Sequence, residues 1–226
     1  MNYCYTYPRP ALTVDTVVFG YQNEEVSVLL IQRGGPPFQG HWALPGGFVE
    51  MDENLENAAQ RELWEETGIR TLNLEQLHTF GEVSRDPRER VVSVAYFALV
   101  RPNQMAFRTG SDAEDARWFS IKNIPSLAFD HDRIISKALI RLREKLLHEQ
   151  AGFKLLPKEF TLGQLQKIYE AILDQSLDKR NFRKKILGLG CLTALSKKLE
   201  SVPHRSPILY SFDEQRFQKM DEIKFS

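Results

Sequence analysis

From Gly47 the chain reads glycine, five residues, Glu53, seven residues, then Arg61-Glu62-Leu63-Trp64-Glu65-Glu66-Thr67-Gly68-Ile69. Glu62, Glu65 and Glu66 stand at i, i+3 and i+4, so one helical turn puts all three carboxylates on one face. Anions stacked that closely repel unless a cation neutralises them. Hard oxygen ligands with room for water and phosphate favour Mg²⁺ or Mn²⁺ over zinc. A divalent ion held there could bridge diphosphate oxygens, polarise phosphorus and lower the pKa of a bound water. Glu53 and Arg61 read as a supporting pair that fixes the loop onto the helix, and Gly46 and Gly47 allow tight backbone passage beside the metal. Three glutamates taken alone suit a solvated acidic helix face equally well.

Those residues need a frame. Thr13–Phe19 and Val26–Gln32 are β-branched and apolar with polar residues between them, which predicts a hairpin. Arg33–Gly40 is too rich in Gly and Pro for anything but a loop. A short Trp42–Leu44 strand leads to Pro45-Gly46-Gly47, and a helical pattern runs from about Asn54 to Thr67. Asn54 is the expected N-cap, Glu56 suits the first turn and Gly68 fits the C′ position. Val91–Val100 and Ala116–Ile121 read as further strands, and His131–Gln150 carries apolar residues at helical spacing. The expected class is α+β or mixed α/β.

Gly152–Pro157 reads as a connector, which divides the chain into residues 1–150 and 151–226. Beyond it, Thr161-Leu-Gly-Gln164 is a capping box opening a helix, Asp178 can cap a second helix through Leu187, and Pro207–Phe212 reads as a short strand. Helix, turn, basic helix and β segment follow winged-helix order. The formal net charge is zero over 226 residues, yet residues 1–150 hold 16 basic against 21 acidic side chains and residues 151–226 hold 14 against 9. An acidic front and a basic back suggest two domains with different partners. Lys179, Arg180, Arg183, Lys184 and Lys185 share one short helix, which Phe182 and Ile186 can anchor from its inner side. Lys197, Lys198 and Arg205 could extend that surface. Arg180, Asn181 and Arg183 have chemistry suited to base edges, and the other cations suit phosphate contacts. A solvated helix on an accessory domain is the plainer alternative.

Cys4 and Cys191, far apart and outside any CxxC spacing, suggest free thiols and a reducing compartment. The N-terminus lacks signal-peptide character and no apolar run reaches membrane-helix length, so a cytoplasmic location is expected.

The string from Gly47 to Ile69 resembles the Nudix signature G-x5-E-x7-R-E-U-x-E-E-x-G-U at every specified position. The resemblance runs from roughly Arg9 to Gln150 and includes Trp42-Ala-Leu-Pro-Gly-Gly47 and Ala116-Arg-Trp118-Phe119. It implies an α/β/α Nudix sandwich with a mixed sheet that cleaves a nucleoside diphosphate linked to another moiety. Catalysis would rest on Glu62, Glu65, Glu66, Arg61 and Glu53, with Glu62, Glu65 and Glu66 as metal ligands. Within the family the likeness is to ADP-ribose-type members, partly through Arg85-Asp86-Pro87-Arg88. Arg33, Gly46, Gly47, Arg85 and Arg88 are therefore candidate ligand contacts, although Arg85–Arg88 also reads as a charged turn. Glu82, Glu114 and Asp115 are outside candidates for a catalytic base. His41 and His131 read as structural.

Phe160–Glu170 followed by Leu177–Lys185, with Pro207–Phe212 as a closing strand, is similar to the C-terminal winged helix of the Nudix-related transcriptional regulators. Those regulators include sensors of ADP-ribose and relatives that sense sugars such as arabinose. The resemblance implies a homodimer that binds an ADP-ribose-like ligand and double-stranded DNA. Two other readings stay open: a pyrophosphohydrolase with an accessory C-terminal domain, and a sugar sensor without hydrolysis. Many such regulators have a degraded Nudix box, whereas this one is complete, so hydrolysis stays open as well.

Overall fold

The computed structural model describes residues 5–70, 73–102, 113–148, 151–198 and 207–217. The chain forms two compact units, Met1–Leu142 and Arg143–Ser226.

In the first unit, strands β1 (Ala11–Gln22) and β2 (Glu25–Arg33) form the expected hairpin, with Phe19 opposite Val28 and Gln22 opposite Glu25. Asn23 and Glu24 turn it with φ of 51° and 63°, the left-handed geometry that matches the twist of a tight hairpin. Strand β3 (Trp42–Ala43) pairs with the end of β2, and β4 (Gly46–Phe48) pairs with the start of β1. Strand β5 (Glu75–Phe80) is antiparallel to β6 (Val91–Val100), and β6 runs parallel to β1 along most of its length. Strand β7 (Ala113–Ser120) runs antiparallel to β2. The sheet is therefore mixed. Along one edge of β1 the partner changes, from β4 at Thr13–Asp15 to β2 at Phe19–Gln22. The main cleft opens where they part.

Helix α1 (Leu55–Thr67) buries Ala58, Ala59 and Leu63, which pack with Val14, Val18, Val94 and Tyr96 from β1 and β6. Small side chains at 58 and 59 let the helix sit close to the sheet. Its ends are set as the sequence predicts: Asn54 accepts from the Asn57 N–H at 2.8 Å, and Gly68 caps the other end at φ 71°. Helix α2 (His131–His148) contributes Ile134, Ile135, Ala138 and Leu142 to the buried set.

In the second unit, Thr161 and Gln164 form the reciprocal capping box that opens α3 (Leu162–Leu173), and Asp178 caps α4 (Lys179–Gly188). Strands β8 (Phe160–Thr161), β9 (Leu192–Lys198) and β10 (Ile208–Phe212) form a sheet in the order β8-β10-β9. This is a winged helix. Residues 152–157 are more than the expected connector. A 3₁₀ turn at Ala151–Leu155 buries Phe153 and Leu155, Leu156 is buried just after it, and Phe153 stacks on Phe212 at 4.1 Å. Apolar side chains set among Gly152 and Pro157 make a core plug rather than a linker. Strands β4, β5, β8 and β9 are additions to the elements expected from sequence. No helix of the described residues is long and apolar enough to cross a membrane.

Candidate functional site

The glycines of β4 let the carboxylates of α1 rest directly on backbone. Gly46 lies opposite Asp15 and Gly47 opposite Val14. A Cβ on Gly46 would stand 2.1 Å from the Val14 carbonyl oxygen, and one on Gly47 would stand 2.3 Å from Glu62 Oε1. No larger residue fits without moving a strand or a carboxylate. The bare strand also exposes a donor: the Gly46 N–H gives a 2.9 Å hydrogen bond to Glu66 Oε2.

Arg61 organises the rest of the helix face. It meets Glu53 through two bonds of 2.7 and 3.1 Å, Glu62 at 2.8 Å and Glu65 at 3.2 Å, and donates to the Phe48 carbonyl at 3.1 Å. Glu53 in turn accepts from the Glu50 N–H at 2.9 Å, which closes the loop onto the helix. Hydrogen bonding to Arg61 holds the Glu53 carboxyl below its ordinary range, against a small opposing effect of burial.

Glu62 and Glu66 line the cleft. Glu65 stands outside it with its side chain 54% exposed. Burial pushes the Glu66 carboxyl up to about 8; the Gly46 hydrogen bond and the Arg33 charge oppose this, and the Glu62 and Asp15 carboxylates add to it. Glu62 is raised as well, by burial first and with Arg61 opposing. Among the described residues no three His, Cys, Asp or Glu groups stand close enough to enclose a metal ion. The donors present nevertheless fit a hard divalent cation: they are carboxylate oxygens, without thiol, and a buried acid with a raised pKa is the group a cation would relieve.

That buried acid has a measurable consequence. An unfolded glutamate ionises near 4.5, whereas folded, metal-free Glu66 keeps its proton up to about 8. The stability this group contributes is complete below pH ~4.5 and is lost as pH rises through the folded pKa. Glu66→Gln removes the loss. By calorimetry without metal, the variant is expected to melt several degrees above the parent at pH 8 and to lose that advantage at pH 5, since each kcal/mol moves Tm by about 2–4 °C. Parallel pH profiles for the two proteins would show that the acid is not strained.

The cleft has a volume of about 770 Å³ and carries cations and aromatic rings beside the carboxylates. Arg33, at the end of β2, is held by a 2.9 Å bond from Nε to the Pro37 carbonyl, with its guanidinium 4.9 Å from the Phe129 ring centre. Burial, followed by repulsion from Arg88, lowers its pKa. Arg88 pairs with Asp86 through bonds of 3.0 and 2.8 Å and lies over the Phe48 ring at 5.3 Å.

Arg85 differs from both. Its side chain is 4% exposed and is engaged with Asp130 at 2.7 and 3.2 Å and with Asp15 at 3.4 Å. It lines the cleft, but the paired donors that would grip a phosphate already grip Asp130. Asp15 also accepts from Ser93 and stands 3.4 Å from His131 Nε2, and His131 Nδ1 accepts the Leu44 N–H at 2.9 Å. Burial, partly offset by Asp15, lowers the His131 pKa. A buried polar cluster thus forms one wall of the cleft.

Asp15, Phe48 and Phe129 line the cleft and Asp130 backs it through Arg85, and sequence reasoning singled out none of the four. The one available signal was Asp15, a carboxylate in the middle of an otherwise apolar strand pattern. Of the other acids, Glu82 is exposed and accepts from Arg90 through its carbonyl, Asp115 pairs with Arg117, and the side chain of Glu114 lies outside the described residues. His41 is exposed and edge-on to Phe38.

On α4, Phe182 and Ile186 are buried while Lys179, Arg180, Arg183 and Lys184 form an exposed outer arc. Asn181 and Lys185 lie on the flank that faces α3, along a cavity rim. Arg205 and the side chains of Lys197 and Lys198 lie outside the described residues.

The family profile of the NUDIX domain matches residues 9–139. The chain belongs to the Nudix family. A second profile, the NrtR DNA-binding winged helix domain, matches residues 152–212 of this Nudix protein. Its relatives include the ADPR responsive transcriptional repressor NtrR of Acinetobacter baylyi, 40% identical over 81% of this chain and 75% of that one. Another is the ADP-ribose pyrophosphatase of Methanocaldococcus jannaschii, 40% identical over 57% of this chain and 73% of that one. Among solved structures, Shewanella oneidensis NrtR complexed with a 27mer DNA covers 92% of this chain and 95% of its own, at 32% identity and a TM-score of 0.73. The NUDIX domain of the same protein, complexed with ADP ribose, covers 60% of this chain and 90% of its own, at 39% identity and a TM-score of 0.57. Nudix hydrolases generally use a divalent metal, which agrees with the oxygen donors that this Nudix protein places on α1.

Proposed function

We propose that the protein is a transcriptional regulator whose first domain, residues 1–150, binds ADP-ribose or a closely related nucleotide diphosphate. Its second, residues 151–226, binds operator DNA. The observation that carries this reading is the exposed basic arc of α4 on a winged helix joined to a complete Nudix cleft. Arg33 takes one or both phosphates: it lines the cleft, and no carboxylate ion pair to it occurs among the described residues. Arg88 and the Phe48 ring flank the ligand, Gly46 and Gly47 let it approach the backbone, and Arg85 positions the wall behind it.

Mg²⁺ would be held by Glu62, Glu66 and Glu65, of which Glu62 and Glu66 line the cleft and Glu65 stands outside it beside Arg61. When bound it neutralises diphosphate charge and can lower the pKa of a water. Glu53 and Arg61 hold the ligand-bearing helix to its loop. Lys179, Arg180, Arg183 and Lys184 bear on DNA, and the working species is a homodimer on paired half-sites. Ligand binding regulates only by favouring one state of the protein over another.

A fluorescence anisotropy titration against the DNA upstream of its own gene and of metabolic operons tests the regulator reading. Binding that ADP-ribose shifts several-fold supports it, and absence of DNA affinity at low salt sinks it. The complete box and the pyrophosphatase relative favour a second reading, Mg²⁺-dependent hydrolysis, either alone or beside regulation. AMP release from ADP-ribose that disappears in a Glu65→Gln, Glu66→Gln variant establishes it. In either case Arg33→Ala is expected to weaken ADP-ribose about 10- to 100-fold, the range for charge-assisted hydrogen bonds of roughly 1.5–3 kcal/mol. Calorimetric titration returning an unchanged Kd would remove Arg33 from the site.

A further inference from the structure

The second unit holds a cavity beneath α4, on the side of Phe182 and Ile186. It measures about 400 Å³, within the roughly 300–1,000 Å³ typical of small-molecule sites. Its walls are Leu146 from the last turn of α2, Tyr169 and Leu173 from α3, and Phe182, Ile186 and Leu189 from α4 and its C-cap. Tyr169 and Phe182 meet edge to face at 5.2 Å, so one side of the hollow is a fixed aromatic corner.

The turn beside the hollow is fixed to α3. Leu177, in the turn between α3 and α4, gives its N–H to Glu170 at 2.9 Å, and its carbonyl accepts from Gln166 at 2.9 Å. Both backbone groups of that turn residue are thereby tied to α3.

The mouth is polar and unevenly charged. Lys185 stands there without an ion pair among the described residues, beside the neutral amides of Asn181 and Gln175. The Asp178 carboxylate at the same mouth is turned to the helix, where it caps the Asn181 N–H at 2.8 Å. Apolar walls with an aromatic corner select a flat hydrocarbon body, and an unpaired ammonium at the rim selects an anionic end.

We propose that this cavity is a second ligand site, suited to a small aromatic carboxylate lying between α3 and α4 with its anion on Lys185. An occupant would press on the inner side of the helix whose outer arc carries Lys179, Arg180, Arg183 and Lys184. The inference does not depend on what the first-unit cleft binds.

The probe is 2-naphthoate, with 2-naphthylmethanol as its neutral counterpart, titrated into the full-length protein and followed by ligand-detected NMR and calorimetry. Saturable binding of naphthoate at one site per chain is expected, tighter than that of the alcohol. Lys185→Gln is expected to weaken naphthoate about tenfold and leave the alcohol unchanged. Leu173→Trp, which fills the hollow, is expected to abolish both; Leu189→Trp at the mouth serves if that variant melts early. Absence of naphthoate binding overturns the proposal. So does binding that survives both the lysine and the filling substitution, or that ADP-ribose displaces by competition.

Discussion

Arg85→Ala is expected to cost the first unit about 3–5 kcal/mol, the penalty for leaving buried charges without their partner. The guanidinium lies between Asp130 and Asp15, and all three side chains are at most 10% exposed. Removing it leaves two carboxylates facing each other away from water. Lysine does not rescue the loss, because a point ammonium cannot reproduce the two bonds to Asp130. Arg85→Ala combined with Asp130→Asn recovers part of it, since the uncompensated charge is then reduced. Scanning calorimetry reads the result as a fall in Tm of about 10 °C or more. Arg88→Ala is the contrast, because its partner-facing guanidinium is 40% exposed and its removal chiefly affects ligand affinity. If Arg85→Ala melted within a degree or two of the parent, Arg85 would be free to bind ligand and would not be the keystone of the cleft wall.

The second large effect concerns α4. Changing Lys179, Arg180, Arg183 and Lys184 together to alanine is expected to lower DNA affinity at low salt by about two orders of magnitude or more. It should also reduce the slope of log K against log salt by about 3–4, close to one for each phosphate that the helix no longer neutralises. The helix survives the change, because Phe182 and Ile186 keep its inner anchor and alanine has high helix propensity. Asn181→Ala and Lys185→Ala are expected to matter much less, since both side chains lie toward α3. Anisotropy titrations across a salt series distinguish the cases. An unchanged slope in the quadruple variant would mean that DNA is held elsewhere than on the outer arc.

What the sequence made legible had local causes. Helix α1 could be bounded almost to the residue because Asn54 and Gly68 punctuate it, and the β1–β2 hairpin because two apolar runs flank a short polar turn. Strand β4 was invisible for the opposite reason. Its two glycines answer to the Val14 carbonyl and the Glu62 carboxylate, not to any strand preference. The buried cluster was hidden by distance along the chain, since Arg85 reaches a partner 70 residues away in Asp15 and one 45 residues away in Asp130. An arginine in a charged turn gives no sign of whether it will face a ligand or a buried acid. The stretch around Phe153 reads as a connector because Gly152 and Pro157 flank it, and the burial of Phe153, Leu155 and Leu156 has no signal in that composition. Gly152 is small there because a Cβ would stand 2.9 Å from the Tyr169 ring.

The contact between Gly47 and Glu62 couples the two positions in any descendant of this chain. A side chain added at position 47 would displace the carboxylate, whose oxygen lies 2.3 Å from where its first carbon would sit. Shortening position 62 vacates that space. A lineage that first drops the carboxylate and then fills the gap meets resistance on reverting, because the returning Glu62 side chain must settle in a different place. The pairing is therefore easier to lose than to restore, and this chain retains both the glycine and the glutamate.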